Sequence, residues 1–115
     1  MHVNADFATR VVIRPEDRQW IASPAGGGER VMLDRIGDEV ARATSLVRWA
    51  PGTTFHRHQH WSGEEILVLD GVFQDEHGAY PAGSWLRSPH GSQHTPFSDT
   101  GCLIYVKTGH LPPGR

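Results

Sequence analysis

The chain has 115 residues, of which 37% are hydrophobic and 21% are charged, and its formal net charge at pH 7 is −2. This length and composition predict one compact globular domain. The eleven lysines and arginines are spread along the chain, so no basic patch predicts binding to nucleic acid or to an anionic membrane surface. No apolar run approaches the ~20 residues that span a bilayer.

The single cysteine, Cys102, cannot form an internal disulfide, which is typical of a reducing compartment. The first ten residues lack the apolar core of a signal peptide. We therefore expect a cytoplasmic protein, in which Cys102 is a small buried hydrophobic residue.

Thirteen glycines and eight prolines divide the chain into short segments, as in turn-rich β proteins. We expect an N-terminal arm at residues 1–9, a short helix candidate at Pro15–Trp20 and a loose tail at residues 110–115. The apolar and β-branched segments predict strands, in chain order, at Ala8–Arg14, Trp20–Ile21, Arg30–Ile36, Ala43–Ala50, Thr54–Trp61, Glu64–Asp75, Ser84–Ser88 and Thr100–Gly109. Short strands with closely spaced turn signals favour an all-β sandwich or barrel.

Histidines cluster in the middle of the chain. Successive residues of a strand point to opposite faces, so His56, His58 and His60 share one face. Glu64 follows after a turn, and His94 comes from a different strand or loop. Imidazole and carboxylate are ligands for zinc, iron, manganese, nickel or copper. The spacing therefore predicts one metal site assembled from two hairpins.

Two motifs surround these residues. The first, G-x5-H-x-H-x3-E-x6-G, consists of Gly52, His58, His60, Glu64 and Gly71. The second, G-x5-P-x-G-x2-H-x3-S, consists of Gly83, Pro89, Gly91, His94 and Ser98. Together they resemble the two conserved motifs of the cupin superfamily. Nine of the ten fixed positions agree, and Ser98 replaces the final asparagine of the second motif.

The wider sequence from Gly63 to Cys102 is similar to the zinc-binding cupin domain of ChrR-type anti-sigma factors and to their stand-alone relatives, which resemble small dioxygenases. The resemblance implies a single double-stranded β-helix domain (a jelly-roll or cupin barrel) over residues 1–115, with its core motifs in residues 50–98. It also implies one divalent ion per chain, with Fe²⁺ and Zn²⁺ ahead of Mn²⁺ and Ni²⁺. The ligands that carry over are His58, His60, Glu64 and His94.

Four further residues are candidates for the pocket beside the ion: His56, Glu65, Trp85 and Phe97. Glu65 is the rival of its neighbour Glu64, since only one of two successive strand residues faces a cavity; the motif spacing favours Glu64. Core packing is the more common role for each aromatic residue near the motifs, but we expect some of them to line an apolar pocket beside the ion. Among the other histidines, we expect His90 to be exposed in a turn, and we expect the surface to carry His2, His77 and His110.

Two functions remain open for such a site. Iron(II) with a free coordination position could bind dioxygen and substrate together, as non-haem oxygenases do. The resemblance implies cleavage of a small ketone, diketone or hydroxylated aromatic ketone, and we place this enzyme first. Alternatively, four protein ligands complete a zinc tetrahedron, which is typical of a structural or sensing module. A metal-independent isomerase or binding module ranks third, because all four ligands are kept.

The expected partners are a small-molecule ligand and a second copy of the chain. Small barrels pair through sheet edges, and Arg10–Arg14 is a candidate exchange strand. The helical segment with which ChrR-type proteins bind a sigma factor is not recognisable before the first predicted strand. We therefore expect no anti-sigma activity from this chain alone, and a free-standing sensor remains the regulatory alternative.

Overall fold

The computed structural model describes residues 1–23, 28–38, 40–55 and 58–112, with the backbone alone at 58 and 59. The strands within these ranges, numbered in chain order, are β1 (His2–Val3), β2 (Ile21–Ala22), β3 (Gly28–Gly37), β4 (Ala41–Trp49), β5 (Thr53–Thr54), β6 (His58–Gln59), β7 (Glu64–Asp75), β8 (Gly78–Pro81), β9 (Trp85–Ser88), β10 (Gln93–His94), β11 (Phe97–Ser98) and β12 (Cys102–Thr108). The all-β class predicted from the sequence is confirmed. Nothing helical in the described ranges has the length and apolar character to cross a membrane.

Ten strands join in one sheet, whose main path runs β1-β3-β4-β12-β7-β11-β5. Strand β2 pairs with β3, whereas β8 and β9 both pair with β7, and β6 and β10 form a separate ribbon. The large sheet curls into a half-barrel. Strand β7 pairs with four neighbours, β8, β9, β11 and β12, so it forms the centre of the curved sheet.

Strand β7 changes its buried face halfway along its length. In the first half the buried side chains are Glu64, Ile66 and Val68, which alternate as expected for a strand with one face on the core. In the second half the buried side chains are Phe73 and Asp75. Even-numbered residues face the core before the change and odd-numbered residues face it afterwards. Both ends of the strand therefore contribute a carboxylate to the interior.

A β-bulge causes this change of face. Val68 pairs with Ile104 and Asp70 pairs with Leu103, so the residue between Val68 and Asp70 has no partner of its own on β12. An extra residue of this kind shifts the alternation by one. Gly71 follows with φ of +72°, and a Cβ at this position would lie 2.2 Å from the carbonyl oxygen of Gly101. Only glycine fits both the backbone conformation and this close approach.

The core is formed by side chains from several strands of the curled sheet. Its buried cluster consists of Trp49, Ile66, Val68, Phe73, Cys102, Ile104 and Val106. The Trp49 ring packs edge-on against Phe55, with ring centroids 5.0 Å apart. Cys102 is 8% exposed, as expected for a small buried hydrophobic residue, and burial raises the pKa of its thiol.

The N-terminal prediction is wrong in detail. Residues 8–14 form no strand, although Val11 and Val12 are β-branched, and both side chains are about half exposed. The free edge of β3 is instead paired by β1 and β2, at its two ends. A segment with high strand propensity forms a strand only where it can pair with another strand. Residues 8–14 therefore cross the surface between the two short strands.

Two other predicted boundaries also change. The helix candidate is reduced to a single 3-10 turn, Pro15–Asp17. The predicted strand 54–61 is divided between β5 and β6. The predicted loose tail is docked at its start, because the amide of Leu111 donates a hydrogen bond to the carbonyl oxygen of Ser62 at 2.9 Å.

Candidate metal centre

Three elements bring the candidate ligands together. Strands β6 and β10 pair in antiparallel register, with His94 opposite His58. His60 follows β6 and is fixed by two backbone hydrogen bonds, from its amide to Ser92 O and from the Gly91 amide to its carbonyl, both at 2.9 Å. A turn then leads directly into β7, whose first residue is Glu64 and faces the interior.

The side chains of His60, Glu64 and His94 converge on one point. Nε2 of His60 and Nε2 of His94 each lie 3.5 Å from Oε1 of Glu64. The two imidazole rings meet edge to face, with centroids 4.4 Å apart. Relative exposure is 4% for His60, 9% for Glu64 and 4% for His94, so the three groups are withdrawn from solvent.

The separations fit a metal ion. Zinc–nitrogen and zinc–oxygen bonds of about 2.0–2.2 Å place neighbouring tetrahedral ligands about 3.3–3.6 Å apart, close to the 3.5 Å between Glu64 Oε1 and each imidazole nitrogen. The buried Oε1 atom accepts no hydrogen bond from the described groups. An ionised carboxylate in such a position needs a cation or a donor. His60, Glu64 and His94 therefore form a possible metal-binding group.

Burial controls the charge of Glu64. Desolvation raises the pKa of Glu64 from 4.5 to about 8, so without a cation the neutral acid predominates at pH 7. A divalent ion between the three side chains would reverse this preference, because an opposite charge at contact favours the carboxylate. The site can therefore exchange one proton for one metal ion.

A second carboxylate lies behind His94. Nδ1 of His94 is 3.4 Å from Oδ2 of Asp75, and both side chains are buried. Oδ1 of Asp75 accepts hydrogen bonds from the Tyr80 hydroxyl and from the His77 amide, both at 2.9 Å. Burial raises the pKa of Asp75, but these bonds, together with His94, hold it below its ordinary value. An ionised Asp75 fixes the His94 proton on Nδ1 and leaves Nε2 as the ligand atom.

An apolar cavity adjoins the group. Its volume is about 90 Å³, and Glu64 and His94 form part of its wall. The remaining wall is almost entirely hydrocarbon, including the side chains of Val47, Phe73, Ile104 and Val106. A cavity of this character excludes water except at its polar end. In this cavity the polar end is formed by the candidate ligands Glu64 and His94.

Two predicted site residues lie outside the described side chains. The backbone places His58 opposite His94, but its side chain is not described, and His56 lies outside the described residues altogether. His58 as the fourth ligand and His56 as a pocket residue both stay predictions.

The other pocket candidates point elsewhere. Glu65 faces the opposite side of β7 from Glu64, where it binds Arg87 at 2.8 Å and His110 at 2.5 Å. Trp85 is 57% exposed. Phe97 is half-buried in β11, and neither aromatic residue is among those that line the cavity. The aromatic residues of the cavity are Trp49, Phe55 and Phe73.

Two histidines expected at the surface have structural partners. The ring of His90 accepts a hydrogen bond at Nδ1 from the Ser62 amide, at 2.8 Å, and packs against Trp61. His110 is only 11% exposed at its side chain, because of its contact with Glu65. Both residues fall between buried and exposed, so each is more enclosed than expected, since each ring bonds a residue on the chain from Trp61 to Glu65.

Ser98 has a structural role at the position where the cupin motif has asparagine. Its side chain is fully buried, and its hydroxyl donates a hydrogen bond of 2.6 Å to the carbonyl oxygen of Val72. The replacement therefore ties β11 to β7 and leaves the candidate ligands unaffected.

Sequence reasoning missed Asp75 and Tyr80. The available signal was Gly71 inside an otherwise continuous strand pattern, which can mark a bulge. In the structure Gly71 follows a bulge, and the bulge turns Asp75 towards His94.

Comparison with known proteins supports this architecture. Residues 8–112 match the family described as the ChrR cupin-like domain. Over 107 residues the chain is 33% identical to the anti-sigma-E factor ChrR of Cereibacter sphaeroides, covering 90% of this chain and 46% of that protein. The ChrR chain in the crystal structure of Rhodobacter sphaeroides SigE with anti-sigma ChrR gives a TM-score of 0.69 at 28% identity, over 83% of this chain and 51% of that chain.

An acetylacetone dioxygenase from Acinetobacter johnsonii shares the fold, with a TM-score of 0.66 at 16% identity over 87% of this chain and 72% of that chain. The chain spans about half the length of the ChrR proteins that it matches. The predicted cupin fold and the predicted resemblance to ChrR-type domains are both confirmed. The chain belongs to the ChrR cupin-like domain family.

Proposed function

We propose that this domain binds one divalent metal ion through His58, His60, Glu64 and His94 and presents it to a small molecule in the adjoining cavity. The observation that carries the proposal is that Glu64 and His94 belong to both the metal-binding group and the cavity wall. A ligand in the cavity would therefore touch the ion directly. A purely structural zinc site needs no such cavity.

The first candidate activity is that of a small oxygenase acting on a ketone. A bound iron(II) ion would supply Lewis acidity and electrons for dioxygen chemistry. The chain itself supplies the rest: Asp75 orients His94, and the hydrocarbon wall keeps water away from the reacting groups.

The cavity volume restricts the substrate. An engineered cavity of about 150 Å³ holds benzene, and the cavity here, at about 90 Å³, is smaller. This size supports dioxygen or a small ketone as the ligand and argues against a hydroxylated aromatic ketone. A diketone with more heavy atoms than benzene would enter only if the wall moved.

The second candidate is a zinc-binding sensor module. It is favoured by membership of the ChrR cupin-like family and by the 33% identity to an anti-sigma factor. In this case four protein ligands would complete the zinc tetrahedron, gain or loss of the ion would change how the domain contacts a protein partner, and a sigma factor is the first partner to test. Both candidates require a metal, and they differ in whether the ion keeps a free coordination position.

Metal content and coordination number test the proposal. Protein purified without added metal is analysed by elemental analysis and X-ray absorption. One iron or manganese ion per chain with five or six light-atom ligands supports the oxygenase. Tetrahedral zinc with protein ligands alone supports the sensor. A protein that neither contains a metal nor binds one on addition contradicts both.

The expected homodimer also stays a proposal. The outward face of β7 and β9 exposes Leu67, Leu69 and Trp85, and a second copy could cover them. Residues 10–14 lie outside any strand in the structure, so this face is a better candidate than the exchange strand. Light scattering on purified protein, with Trp85→Ser as the variant, distinguishes dimer from monomer.

A further inference from the structure

A strained turn connects two of the candidate ligands. Residues 61–63 carry the chain from His60 to Glu64, and Ser62 within them has φ of +57°. This left-handed conformation is uncommon for any residue other than glycine. Such a residue keeps its conformation only when its surroundings hold it. The position of both ligands therefore depends on what holds Ser62.

Two separate elements hold the turn from opposite sides. On one side, the Ser62 amide donates a hydrogen bond to Nδ1 of His90 at 2.8 Å. On the other side, the Leu111 amide donates to the Ser62 carbonyl oxygen at 2.9 Å. Both backbone polar groups of the strained residue are thus bonded by groups outside the turn.

The second element is the segment Gly109–Leu111, which we term the C-terminal strap. Besides the bond from Leu111, its Gly109 amide donates to the carbonyl oxygen of Gly63 at 3.1 Å. The Leu111 side chain packs on Gly63 so closely that a Cβ there would lie 2.4 Å from Leu111 Cδ1. The strap therefore covers the turn with two hydrogen bonds and one apolar contact.

The middle residue of the strap binds the strand that follows the turn. Nε2 of His110 lies 2.5 Å from Oε1 of Glu65, whose other oxygen accepts a hydrogen bond from Arg87. Glu65 is adjacent to Glu64, with its side chain on the opposite face of β7. The strap thus contacts the chain on both sides of the Glu64 backbone.

We propose that His90 and the C-terminal strap are positioning elements for the metal centre, and that docking of the strap and binding of the metal are thermodynamically coupled. The inference rests on the proposed metal site. Metal binding requires His60 and Glu64 to face each other, which is the arrangement that the docked strap holds. Coupling between two sites is reciprocal, so a bound ion must also tighten the strap.

Hydrogen exchange on the unmodified protein tests the coupling. The amides of Gly109 and Leu111 report strap docking directly, since both donate to the turn. The Gly83 amide, bonded to Val68 O, serves as the reference. We expect zinc to slow exchange of the two strap amides about tenfold more than exchange of the reference, within the usual range of coupling. Equal slowing of all three would overturn the coupling.

Variants test the positioning role. We expect His90→Ala and Leu111→Ala each to weaken zinc binding about tenfold. His90→Asn should recover most of the affinity, because its side-chain oxygen can accept the bond from Ser62. Val12→Ala and His2→Ala are controls, since both residues are exposed and lie on elements that contact neither the strap nor the turn. Loss of apo-protein stability in His90→Ala or Leu111→Ala with unchanged zinc affinity would indicate a merely structural role.

The outcomes separate this inference from the proposed function. In one outcome the wild type binds one zinc ion, but zinc leaves strap exchange unchanged and the variants keep wild-type affinity. That result would reject the coupling and support the metal site. A wild type that binds no metal would reject both the proposed function and the coupling.

Discussion

The buried side chains of Asp75 and His94 are in contact, with Oδ2 of Asp75 3.4 Å from Nδ1 of His94. The contact decides which nitrogen of His94 can bind a metal. A carboxylate at Nδ1 holds the ring proton there and leaves Nε2 unprotonated. That nitrogen points to Glu64 Oε1.

Asp75→Asn should weaken metal binding about 10- to 100-fold. Oδ1 of Asp75 accepts hydrogen bonds from the Tyr80 hydroxyl and from the His77 amide. In the variant the asparagine oxygen must take this place, so its NH₂ group takes the place of Oδ2 and faces His94. His94 would then carry its proton on Nε2, which cannot coordinate. Competition with a chromophoric chelator measures the affinity. Asp70→Asn, an exposed acid of the same strand, is the control and should bind as the wild type does.

Glu64→Gln should abolish metal binding and leave the apo-protein folded. Burial raises the pKa of Glu64 to about 8, so at pH 7 the apo-protein already contains a neutral side chain at this position. Glutamine has nearly the same shape and no charge, so the urea midpoints of the two apo-proteins should agree closely near pH 4. At pH 7 the variant should be the more stable of the two, because only the unfolded wild-type chain gains free energy by ionising Glu64. Glu29→Gln, a half-exposed acid of β3 that pairs with Arg48, is the control and should retain the metal. A bound ion in Glu64→Gln would show that the carboxylate is not a ligand.

The stability of the apo-protein should fall as pH rises. The folded-state pKa of Glu64, about 8, exceeds the ordinary value of 4.5. Between these values the folded protein keeps a proton that the unfolded chain has lost, so the free energy of unfolding falls by at most about 1.4 kcal/mol per pH unit. Urea titrations from pH 5 to 8 measure the slope. The difference between wild type and Glu64→Gln isolates this residue, and parallel slopes would contradict its elevated pKa.

The metal should reverse that pH dependence. Binding requires loss of the Glu64 proton, so affinity should increase with pH until about pH 8. Calorimetry in buffers of different ionisation enthalpy measures the protons released at pH 7. Release of about one proton per ion in the wild type is the expected result. Zero release would mean that Glu64 is already ionised or does not bind.

The cavity can be filled without touching a candidate ligand. Val106 is buried in β12 and lines the cavity, so Val106→Phe should occupy most of its volume at an overpacking cost of about 1–3 kcal/mol. We expect unchanged metal stoichiometry and at least about tenfold weaker azide binding to the cobalt-substituted protein. Tyr105→Phe, on the outward face of the same strand, is the control. Undiminished azide binding would show that ligands reach the ion by another route.

The all-β class could be predicted from the sequence because it depends on local patterns of apolar residues and turns. The ligand set followed instead from the resemblance of the two motifs to those of the cupin superfamily, and of these residues the structure brings His60, Glu64 and His94 together. Asp75 could not be placed in this way. It lies eleven residues after Glu64 in sequence, and an odd interval on a regular strand leads to the opposite face. The bulge before Gly71 restores the inward direction.

The N-terminal error has a different physical origin. Residues 8–14 have strand-forming composition, but a strand exists only where an edge is free to pair. Strands β1 and β2 already pair with both ends of β3, and each is only two residues long. Strands this short have too few residues for a recognisable strand pattern in the sequence. Competition between segments for one edge is a tertiary property, which a pattern within one segment does not reveal.

Two glycines of the first motif allow the bulge to be tested by comparison. Gly71 and Gly52 both have positive φ, of +72° and +81°. A Cβ at Gly71 would lie 2.2 Å from Gly101 O, whereas a Cβ at Gly52 would meet nothing within 4 Å. Gly52→Ala should therefore lower the free energy of unfolding by about 1–2 kcal/mol, which is the penalty for a side chain in the left-handed conformation. Gly71→Ala should cost about 1–3 kcal/mol more, because the backbone must move apart.

The same pair of variants connects the bulge to the metal. If the close approach of Gly71 to Gly101 sets the direction of Asp75, Gly71→Ala should weaken metal binding as well as stability, because Asp75 would no longer hold the His94 proton on Nδ1. Gly52→Ala should lower stability alone. Urea unfolding and chelator competition on both variants measure the two quantities. A Gly71→Ala protein that loses stability but keeps wild-type affinity would show that the contact between Asp75 and His94 does not depend on the bulge.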